Sequence, residues 1–443
     1  MALQPMAIYK LLPRKNCKEC GVSTCLAFAM KLAEGKAELA LCPYLSEEAK
    51  AALGAESGPP VAEVSFGRQD APIRLGGETV LYRHEKRFVN PTALGIEITT
   101  TMDDDEIGRR IGIARKTLSR TGQALAPSFV ALIADDLTSD RFFNLFKQLN
   151  DLSIPLLLDT PVNLLTSVIP ESPTPPLIKI PEENPDFHLE QAIIHDLPVL
   201  VGGETLDGLA KASRYAKAKG CRQIVLLPDV SQLGNRIDMM VVARRLAVLS
   251  RDSDLGFPLA WWEQAGDPDL AAGLAIMRYA SLLVLKDTDW ARIVPLLVLV
   301  QELWSDPQKP ISVLPGLYMV GNAGADSPLL VTTNFSLTYF LVTGDAESSG
   351  VPCHVLLVDV EGQSVLTAYA SGKLTAEKVA ATLQEYKAVE HVNHKRLVIP
   401  GLVSRMSGKL EDASGWQVDV GPQDSGRLPQ YLKGYSTTTG AAL

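Results

Sequence analysis

Short apolar runs alternate with amphipathic helical patterns along the central part of the chain. Eight such runs lie between residues 93 and 311, and they begin at Leu94, Phe129, Ile154, Leu177, Leu197, Gln223, Phe257 and Ser281. Most are followed by residues with helical periodicity, for example the stretches from Asp140 and from Asp207. Repeated strand–helix units at this spacing are typical of a (β/α)8 barrel. We therefore predict a TIM-like barrel over residues 93–325, with a doubly wound sheet as the alternative.

The tail, residues 326–443, has a strand–helix rhythm of its own. Its apolar runs begin at Leu329, His354, Arg396 and Trp416, and a helical pattern begins at Thr375 between the second and third runs. This order predicts an open parallel α/β sheet.

The chain before the barrel divides into two shorter parts. Residues 1–57 contain a cysteine-rich stretch and a short helical pattern from Thr24 to Gly35. We predict a small N-terminal domain there. Residues 58–92 are rich in glycine, proline and charge, which predicts an extended linker with some local strand.

Composition and charge exclude several classes of protein. The chain has 443 residues, 46% of them apolar, and 42 basic against 51 acidic side chains give a net charge of −9. The absence of a basic stripe argues against a nucleic-acid partner. No apolar stretch is long enough to span a bilayer, and the N-terminus lacks the apolar core of a signal peptide. A cytoplasmic protein without a membrane segment is the expectation.

Four cysteines lie close together near the N-terminus. Cys17, Cys20, Cys25 and Cys42 have the spacing C-x2-C-x4-C-x16-C, and Pro43 follows the last one. Thiolates at this spacing can hold a 4Fe-4S cluster, although the pattern differs from the common ferredoxin motifs. Disulfides would require an oxidising compartment. A zinc site is the remaining alternative, but two facing C-x2-C pairs would suit it better.

Carboxylates recur just after the predicted barrel strands. They are Asp135, Asp136, Asp159, Glu204, Asp229, Glu263 and Asp287. Active sites of such barrels lie at this edge, but an acidic residue before a helix also caps its free N–H groups. Because no nucleophile and base pair accompanies them, we favour helix capping and a barrel that serves as a scaffold.

Small polar segments follow each predicted strand of the tail. They cover residues 332–338, 361–366, 400–404 and 421–427. Ligands of open α/β sheets bind at the carboxyl ends of the strands. The four segments together therefore predict a site for a broad ligand, although each alone has ordinary turn composition.

Several motifs resemble one family. The cysteine spacing, the barrel-like centre and the tail motifs V-T-T-N-F-S-L-T-Y, S-V-L-T-A-Y-A and G-K-L-E-D-A-S-G-W closely resemble the large (gamma) subunit of the corrinoid iron-sulfur protein of the acetyl-CoA (Wood–Ljungdahl) pathway. The resemblance covers essentially the whole chain.

The resemblance implies a methyl carrier rather than a complete enzyme. A corrinoid in the tail would accept a methyl group on Co(I) from methyltetrahydrofolate with the help of a separate methyltransferase. It would then pass the group to acetyl-CoA synthase. The 4Fe-4S cluster would return oxidised Co(II) to its active state. The family partner is a smaller barrel subunit, which forms a heterodimer with the large one.

We expect the corrinoid to contact residues of the tail loops, since hydroxyls can meet its polar groups and glycine lets the backbone approach a flat ring. The expected contacts are Thr332, Thr338, Gly362, Gln363, Ser364, Val365 and Arg427.

One departure from other corrinoid proteins concerns the lower cobalt ligand. Many methylcobalamin domains supply a histidine from D-x-H-x-x-G, followed by S-x-L. Here S-x-L is present as Ser364 and Leu366, but the only D-x-H, at His188, lies in the predicted barrel and lacks the glycine. We therefore expect base-off cobalt without a histidine ligand from this chain. The rival hypothesis is an iron-sulfur electron-transfer protein whose tail binds a flavin, which would also suit an open α/β sheet.

Overall fold

A computed structural model describes residues 5–33, 41–46, 58–134, 139–307 and 309–435, together with residues 37 and 49. The chain forms two compact units. One comprises Met1–Thr117 with Ala126–Trp304, and the other comprises Leu118–Leu125 with Ser305–Leu443.

The N-terminal segment contains two described helices, Pro5–Leu11 and Cys25–Ala33. Ile8, Leu12 and Phe28 form a small apolar cluster with cysteine side chains between them. The predicted helix began at Thr24 and ended at Gly35, and residues 34–36 lie outside the described part of the chain.

A β-hairpin follows where the sequence suggested a linker. Strand β1 (Glu63–Phe66) pairs antiparallel with β2 (Ile73–Gly76). Val64, Phe66 and Leu75 share one core with the inward-facing barrel residues. Hydrogen bonds from Ala62 N to Gly256 O (2.9 Å) and from Gly67 N to Pro175 O (2.8 Å) attach the hairpin to loops before two barrel strands. The segment therefore closes the amino-terminal end of the barrel. Residues 58–92 contain the local strand that was expected, but as a packed hairpin in place of an extended linker.

Eight parallel strands form a closed barrel, as predicted. They are β3 (Ala93–Thr99), β6 (Phe129–Ile133), β7 (Leu156–Asp159), β8 (Leu177–Lys179), β9 (Val199–Gly203), β10 (Ile224–Pro228), β11 (Leu259–Trp262) and β12 (Ala280–Leu285), with β12 pairing to β3. Both faces of the strands are buried, which explains their nearly continuous apolar runs. The Phe129 ring fills the barrel interior beside Gly95. A Cβ atom at position 95 would lie 2.2 Å from this ring, so glycine is what leaves room for it.

Helices surround the barrel strands. They span Asp104–Ala114, Ser139–Asp151, Val162–Val168, Asp186–Ile194, Leu206–Lys219, Leu233–Ser250, Leu270–Met277 and Trp290–Leu303, and a short 3-10 helix spans Ile169–Glu171.

The second unit begins with a hairpin inserted between two barrel elements. Strands β4 (Leu118–Arg120) and β5 (Gln123–Leu125) form this hairpin. The Leu314 N–H donates to Thr121 O at 3.2 Å, so the hairpin packs against the segment that leads into the tail sheet.

The tail sheet has five strands in the order β13-β15-β14-β16-β17. They are β13 (Gly316–Val320), β14 (Leu329–Thr333), β15 (Cys353–Val358), β16 (Arg396–Ile399) and β17 (Gln417–Val420). The last four are parallel, as predicted, and β13 adds an antiparallel edge. The tail begins before the predicted boundary at 325/326, because β13 pairs with β15.

Helices cover both faces of the tail sheet, giving three layers. Ser336–Ser348 and Leu428–Lys433 lie on one face. The other face carries Val365–Ala370, Ala376–Glu385, Ala388–His391 and Ser407–Ser414, together with the 3-10 helix Gly401–Met406. The short 3-10 helix Ser425–Arg427 follows β17.

Candidate functional site

A cavity of about 320 Å³ opens at the carboxyl edge of the tail sheet. The strands bring together four loops that are far apart in sequence, since the carboxyl ends of parallel strands share one edge. The deep wall is apolar and includes Leu330, Val342 and Val398, whereas Gln423, Asp424 and other polar side chains lie around the mouth.

An unpaired hydroxyl lies in this cavity. Thr332, at the end of β14, is 2% exposed, and its Oγ1 has no hydrogen-bond partner among the described residues. A buried polar atom without a partner is costly, because it has lost water and gained nothing in return. The hydrogen-bonding capacity of this hydroxyl is therefore unused within the described residues. The next residue, Thr333, also has an unpaired buried Oγ1 but does not line the cavity.

Exposed leucines line the cavity as well. Leu341, Leu366 and Leu402 are 50%, 52% and 38% exposed. They come from three different segments and face one opening. Such a concentration of exposed apolar side chains is typical of a binding surface.

The predicted contact residues divide into two groups. Thr332, Thr338, Ser364 and Val365 line the cavity. Gly362, Gln363 and Arg427 are not among the lining residues; the Gln363 side chain instead accepts a hydrogen bond from Ser371 Oγ at 2.8 Å.

Several lining residues are not among the predicted contacts. These include Leu341 and Val342 on the helix after β14, Pro400 and Leu402 after β16, and Gly421–Ser425 after β17. The polar segments 400–404 and 421–427 had indicated the loops. The helical leucine and valine carried no signal, because apolar helix residues normally face a core.

The cysteine segment forms a second candidate site. Cys25 and Cys42 are buried, and both belong to the apolar cluster of the N-terminal segment, with Cys20 packed against it. Cys17 is partly exposed. The described fold therefore brings Cys42 to the same cluster as Cys20 and Cys25, although it is distant from them in sequence.

Asn16 and Tyr44 hold the cysteine loops. Cys25 N donates to Asn16 Oδ1 at 2.7 Å, and Asn16 N donates to Cys25 Sγ at 3.4 Å. Tyr44 donates to Glu19 Oε1 at 2.8 Å, and the Lys15 ammonium lies 4.1 Å from the centre of the Tyr44 ring. The hydrogen bond to Glu19 raises the pKa of Tyr44. These contacts connect the loop of the first two cysteines to the segment after Cys42.

Within the described parts of the chain, no group of three or more histidine, cysteine, aspartate or glutamate side chains is arranged to hold a metal ion. A zinc ion needs its ligands around one point. A 4Fe-4S cluster distributes its four thiolates over four iron atoms, so its cysteines stand further apart.

Comparisons with known proteins show the family of the chain. A family model described as "CO dehydrogenase/acetyl-CoA synthase delta subunit" matches residues 63–432, and another, described as "Putative Fe-S cluster", matches residues 12–44. The corrinoid/iron-sulfur protein large subunit of Moorella thermoacetica is 37% identical over 441 residues, covering 98% of this chain and 99% of the relative. The chain belongs to the corrinoid/iron-sulfur protein large subunit family.

Archaeal relatives have a different name but also match nearly the whole length of the chain. The acetyl-CoA decarbonylase/synthase complex subunit gamma of Methanothermobacter thermautotrophicus is 34% identical, with 98% of this chain and 99% of the relative covered. Among solved structures, the dihydropteroate synthase of Thermus thermophilus covers 54% of this chain and 98% of its own length. Its identity is 16% and its TM-score is 0.39. This likeness is too weak to support a conclusion about the chain.

The tail histidines of this corrinoid/iron-sulfur protein family member lie away from the cavity. His354 is the second residue of its strand and pairs with Leu329, and its Nε2 lies 3.1 Å from Gly324 O. His394 Nε2 lies 3.0 Å from Ser327 O, and the His391 ring is 6.3 Å from that of His354. All three therefore lie toward the amino edge of the sheet, opposite Thr332.

The described barrel carboxylates of this family member are not the side-chain caps of the helices that follow them. The helices after Glu204 and Asp287 are capped by their neighbours Thr205 and Asp289. Asp159 pairs with Lys179 at 2.7 Å, and Glu263 pairs with Arg292. The capping interpretation is therefore wrong for these residues, and Asp135 and Asp136 lie outside the described residues.

In the part of the chain that the structure describes, no helix combines the length and apolar character needed to cross a membrane.

Proposed function

We propose that this chain is a corrinoid methyl carrier. The observation that supports it most is the tail cavity, with the unpaired Thr332 hydroxyl inside and exposed leucines around it. Family membership adds support, because the Moorella thermoacetica relative is named a corrinoid/iron-sulfur protein.

The size of the cavity suits part of a corrinoid. About 320 Å³ can hold an aromatic base and its sugar but not a whole macrocycle. We infer that the nucleotide end of the cofactor enters the cavity and that the flat ring lies over Leu341, Leu366 and Leu402. Thr332, Thr338 and Ser364 would then meet polar groups of the cofactor. When bound, the corrinoid supplies a nucleophilic cobalt that carries a methyl group.

The four cysteines would hold a 4Fe-4S cluster that returns one electron to oxidised cobalt. The Asn16 N–H at Cys25 Sγ and the basic side chains of Lys15 and Lys18 would offset part of its negative charge. The proposed partners are the small barrel subunit, a methyltetrahydrofolate methyltransferase and acetyl-CoA synthase. The complex named for the archaeal relatives supports a role as one subunit among several.

We further propose that this chain provides no axial nitrogen to cobalt and that the cofactor is bound base-off. No histidine is among the residues that line the described cavity. Without a strong axial donor, Co(I) is easier to reach, because axial ligands control a metal's potential. Paramagnetic resonance of the oxidised form should lack axial nitrogen coupling and should not change in His354→Ala. A clear nitrogen coupling would contradict this proposal.

Metal analysis and a visible spectrum of the anaerobically purified chain test the main proposal. We expect about one cobalt and about four irons per chain. A flavin spectrum without cobalt would instead support the electron-transfer alternative, and the methyl-carrier proposal would be wrong.

Cys42→Ala separates the two cofactors. We expect the cluster signal to be lost while cobalt remains bound, because Thr332 and the cavity belong to a different unit. Methyl transfer from chemically reduced cobalt should persist. Loss of transfer with cobalt still bound would contradict the proposed repair role of the cluster.

A further inference from the structure

We infer that Asn334 is a positioning residue that sets the wall of the tail cavity formed by Ser364, Val365 and Leu366. The inference rests on the proposed function, since it concerns how strongly the cavity binds a corrinoid. Asn334 does not line the cavity itself.

The side chain of Asn334 uses both ends of its amide. It is 2% exposed and directly follows β14. Its Oδ1 accepts hydrogen bonds from Val360 N at 2.9 Å and from Gly362 N at 3.1 Å. Its Nδ2 donates to Asp359 Oδ1 at 3.1 Å. One side chain therefore binds three residues of the turn after β15.

The main chain of Asn334 joins the same region. Its N–H donates to Val358 O at 3.0 Å, and its carbonyl accepts from Val313 N at 2.8 Å. The residue thus connects the end of β14, the end of β15 and the segment that enters the tail.

The turn held by Asn334 has an unfavourable backbone. Glu361 and Gly362 both have left-handed φ angles, +57° and +70°. A non-glycine residue adopts this conformation only when its surroundings favour it. Besides Asn334, the Lys373 ammonium holds the Glu361 carboxylate at 2.6 Å. A side chain at Gly362 would meet Pro310 O at 2.8 Å, so the turn has little room to shift.

The turn leads directly into the cavity wall. Ser364 immediately precedes the helix Val365–Ala370, and Ser364, Val365 and Leu366 all line the cavity. If the Val360 and Gly362 N–H groups lose their acceptor, the turn must rearrange to reach water, because buried donors are costly when unpaired. The position of the wall relative to Thr332 would change with it.

Asparagine meets this requirement because its amide both accepts and donates. An aspartate at 334 could still accept from Val360 and Gly362, but it would face the Asp359 carboxylate without a proton to donate. An asparagine at 359 would supply that proton. The pair Asn334→Asp with Asp359→Asn therefore exchanges donor and acceptor and keeps the link between the two residues, but it gives up the bond that Asp359 Oδ1 accepts from Glu361 N at 3.1 Å.

Titration of the full-length apo chain with hydroxocobalamin, followed by visible absorption, tests the inference. Asn334→Ala and Asn334→Asp should each weaken binding about tenfold or more. The double variant Asn334→Asp, Asp359→Asn should bind more tightly than Asn334→Asp, with partial recovery because the Glu361 N–H loses its acceptor. Asn393→Ala, an exposed asparagine near the opposite edge of the sheet, is the matched control and should bind like the wild type.

Hydrogen exchange in the absence of cobalamin provides a second readout. The Val360 and Gly362 amides should exchange faster in Asn334→Ala and regain protection in the double variant. Unchanged cobalamin binding in a folded Asn334→Ala variant would overturn the inference. So would a double variant no better than Asn334→Asp. If the wild-type chain itself did not bind cobalamin, the proposed function would fail instead, while the exchange data would still decide whether Asn334 holds the turn.

Discussion

The carboxyl edge of the barrel and the carboxyl edge of the tail sheet obey the same topological rule but differ in how their polar groups are paired. In the barrel, Lys179 pairs with Asp159, and Trp262 Nε1 donates to Glu97 Oε2 at 2.6 Å. In the tail, the Thr332 hydroxyl has no described partner, and leucines such as Leu366 are exposed. The barrel edge also has a buried hydroxyl without a described partner, that of Thr160, so the tail edge is distinguished by an unpaired hydroxyl and exposed leucines that line one cavity.

This difference is informative because position in the fold alone would favour both edges equally. A polar side chain that already has its partner has less to gain from a ligand. An unpaired buried hydroxyl gains free energy when a ligand atom hydrogen-bonds to it, and exposed apolar surface gains free energy when a ligand covers it. Four variants, ordered by expected effect, test the comparison.

Glu263→Ala should give the largest effect and act on stability alone. Its carboxylate is buried, pairs with Arg292 and accepts from Lys286 N at 2.8 Å and Asp287 N at 3.1 Å. Removing it leaves the mostly buried Arg292 guanidinium with only its longer contacts to Asp269 (3.6 Å) and Asp287 (3.7 Å), which should lower the free energy of unfolding by about 3 kcal/mol. Urea denaturation followed by tryptophan fluorescence measures this loss.

The cobalt content of the folded Glu263→Ala protein should stay normal. Asp70→Ala breaks an exposed pair with Arg68 in the same unit and should leave stability nearly unchanged. A variant that folds well but loses cobalt would show that the barrel edge contributes to binding.

Leu366→Asp should weaken corrinoid binding and leave the stability of the protein unchanged. The side chain is 52% exposed, so the apo protein should fold normally. A bound ring would cover the carboxylate, and loss of the apolar contact should weaken corrinoid binding by about 2 kcal/mol, or roughly thirtyfold. Leu270 of the barrel unit is similarly exposed, at 59%. The control variant Leu270→Asp should bind the corrinoid normally. Equal losses in both variants would refute a site specific to the tail.

Thr332→Val should give a smaller, selective change. Valine keeps the shape and removes the hydroxyl, so cobalamin binding should weaken by about 1 kcal/mol, or roughly fivefold, while the apo protein keeps or gains stability. Thr333→Val removes a similar unpaired hydroxyl that does not line the cavity, and affinity should not change. Titration and thermal denaturation compare the two, and equal affinities in both variants would remove Thr332 from the site.

Lowering the pH should destabilise the barrel edge because Glu106 becomes protonated, and this should be the smallest of the four effects. Hydrogen bonds from Arg109 and Arg110 lower its pKa to about 2 from 4.5, and Arg110 also donates to Glu97 O at 2.7 Å. Because the pKa is lowered on folding, the carboxylate stabilises the protein above about pH 4.5, and this contribution is lost as the pH falls toward 2. The urea midpoint of Glu106→Gln should therefore depend less on pH across this range than that of the wild-type apo chain. Identical pH profiles would contradict the assignment.

The sequence by itself determined the repeating elements. The eight barrel strands and the four parallel tail strands were predicted because strands buried on both faces need nearly continuous apolar runs. The cysteine spacing and the small polar residues after the tail strands could also be recognised in the sequence, for a related reason. Metal ligands and tight turns restrict the residue types that can occupy them.

Only the tertiary structure decided how distant segments meet. The hairpin at residues 63–76 has the composition of a linker, yet Val64 and Phe66 are buried because the open end of the barrel accepts them. The edge strand Gly316–Val320 is only partly buried, so its sequence carried little strand pattern. Of the predicted tail contacts, Thr332 lines the cavity and Gly362 does not, because each position depends on hydrogen bonds between loops, such as that from Gly362 N to Asn334 Oδ1. Local pattern predicts elements well, whereas a site depends on long-range pairing that no short stretch of sequence contains.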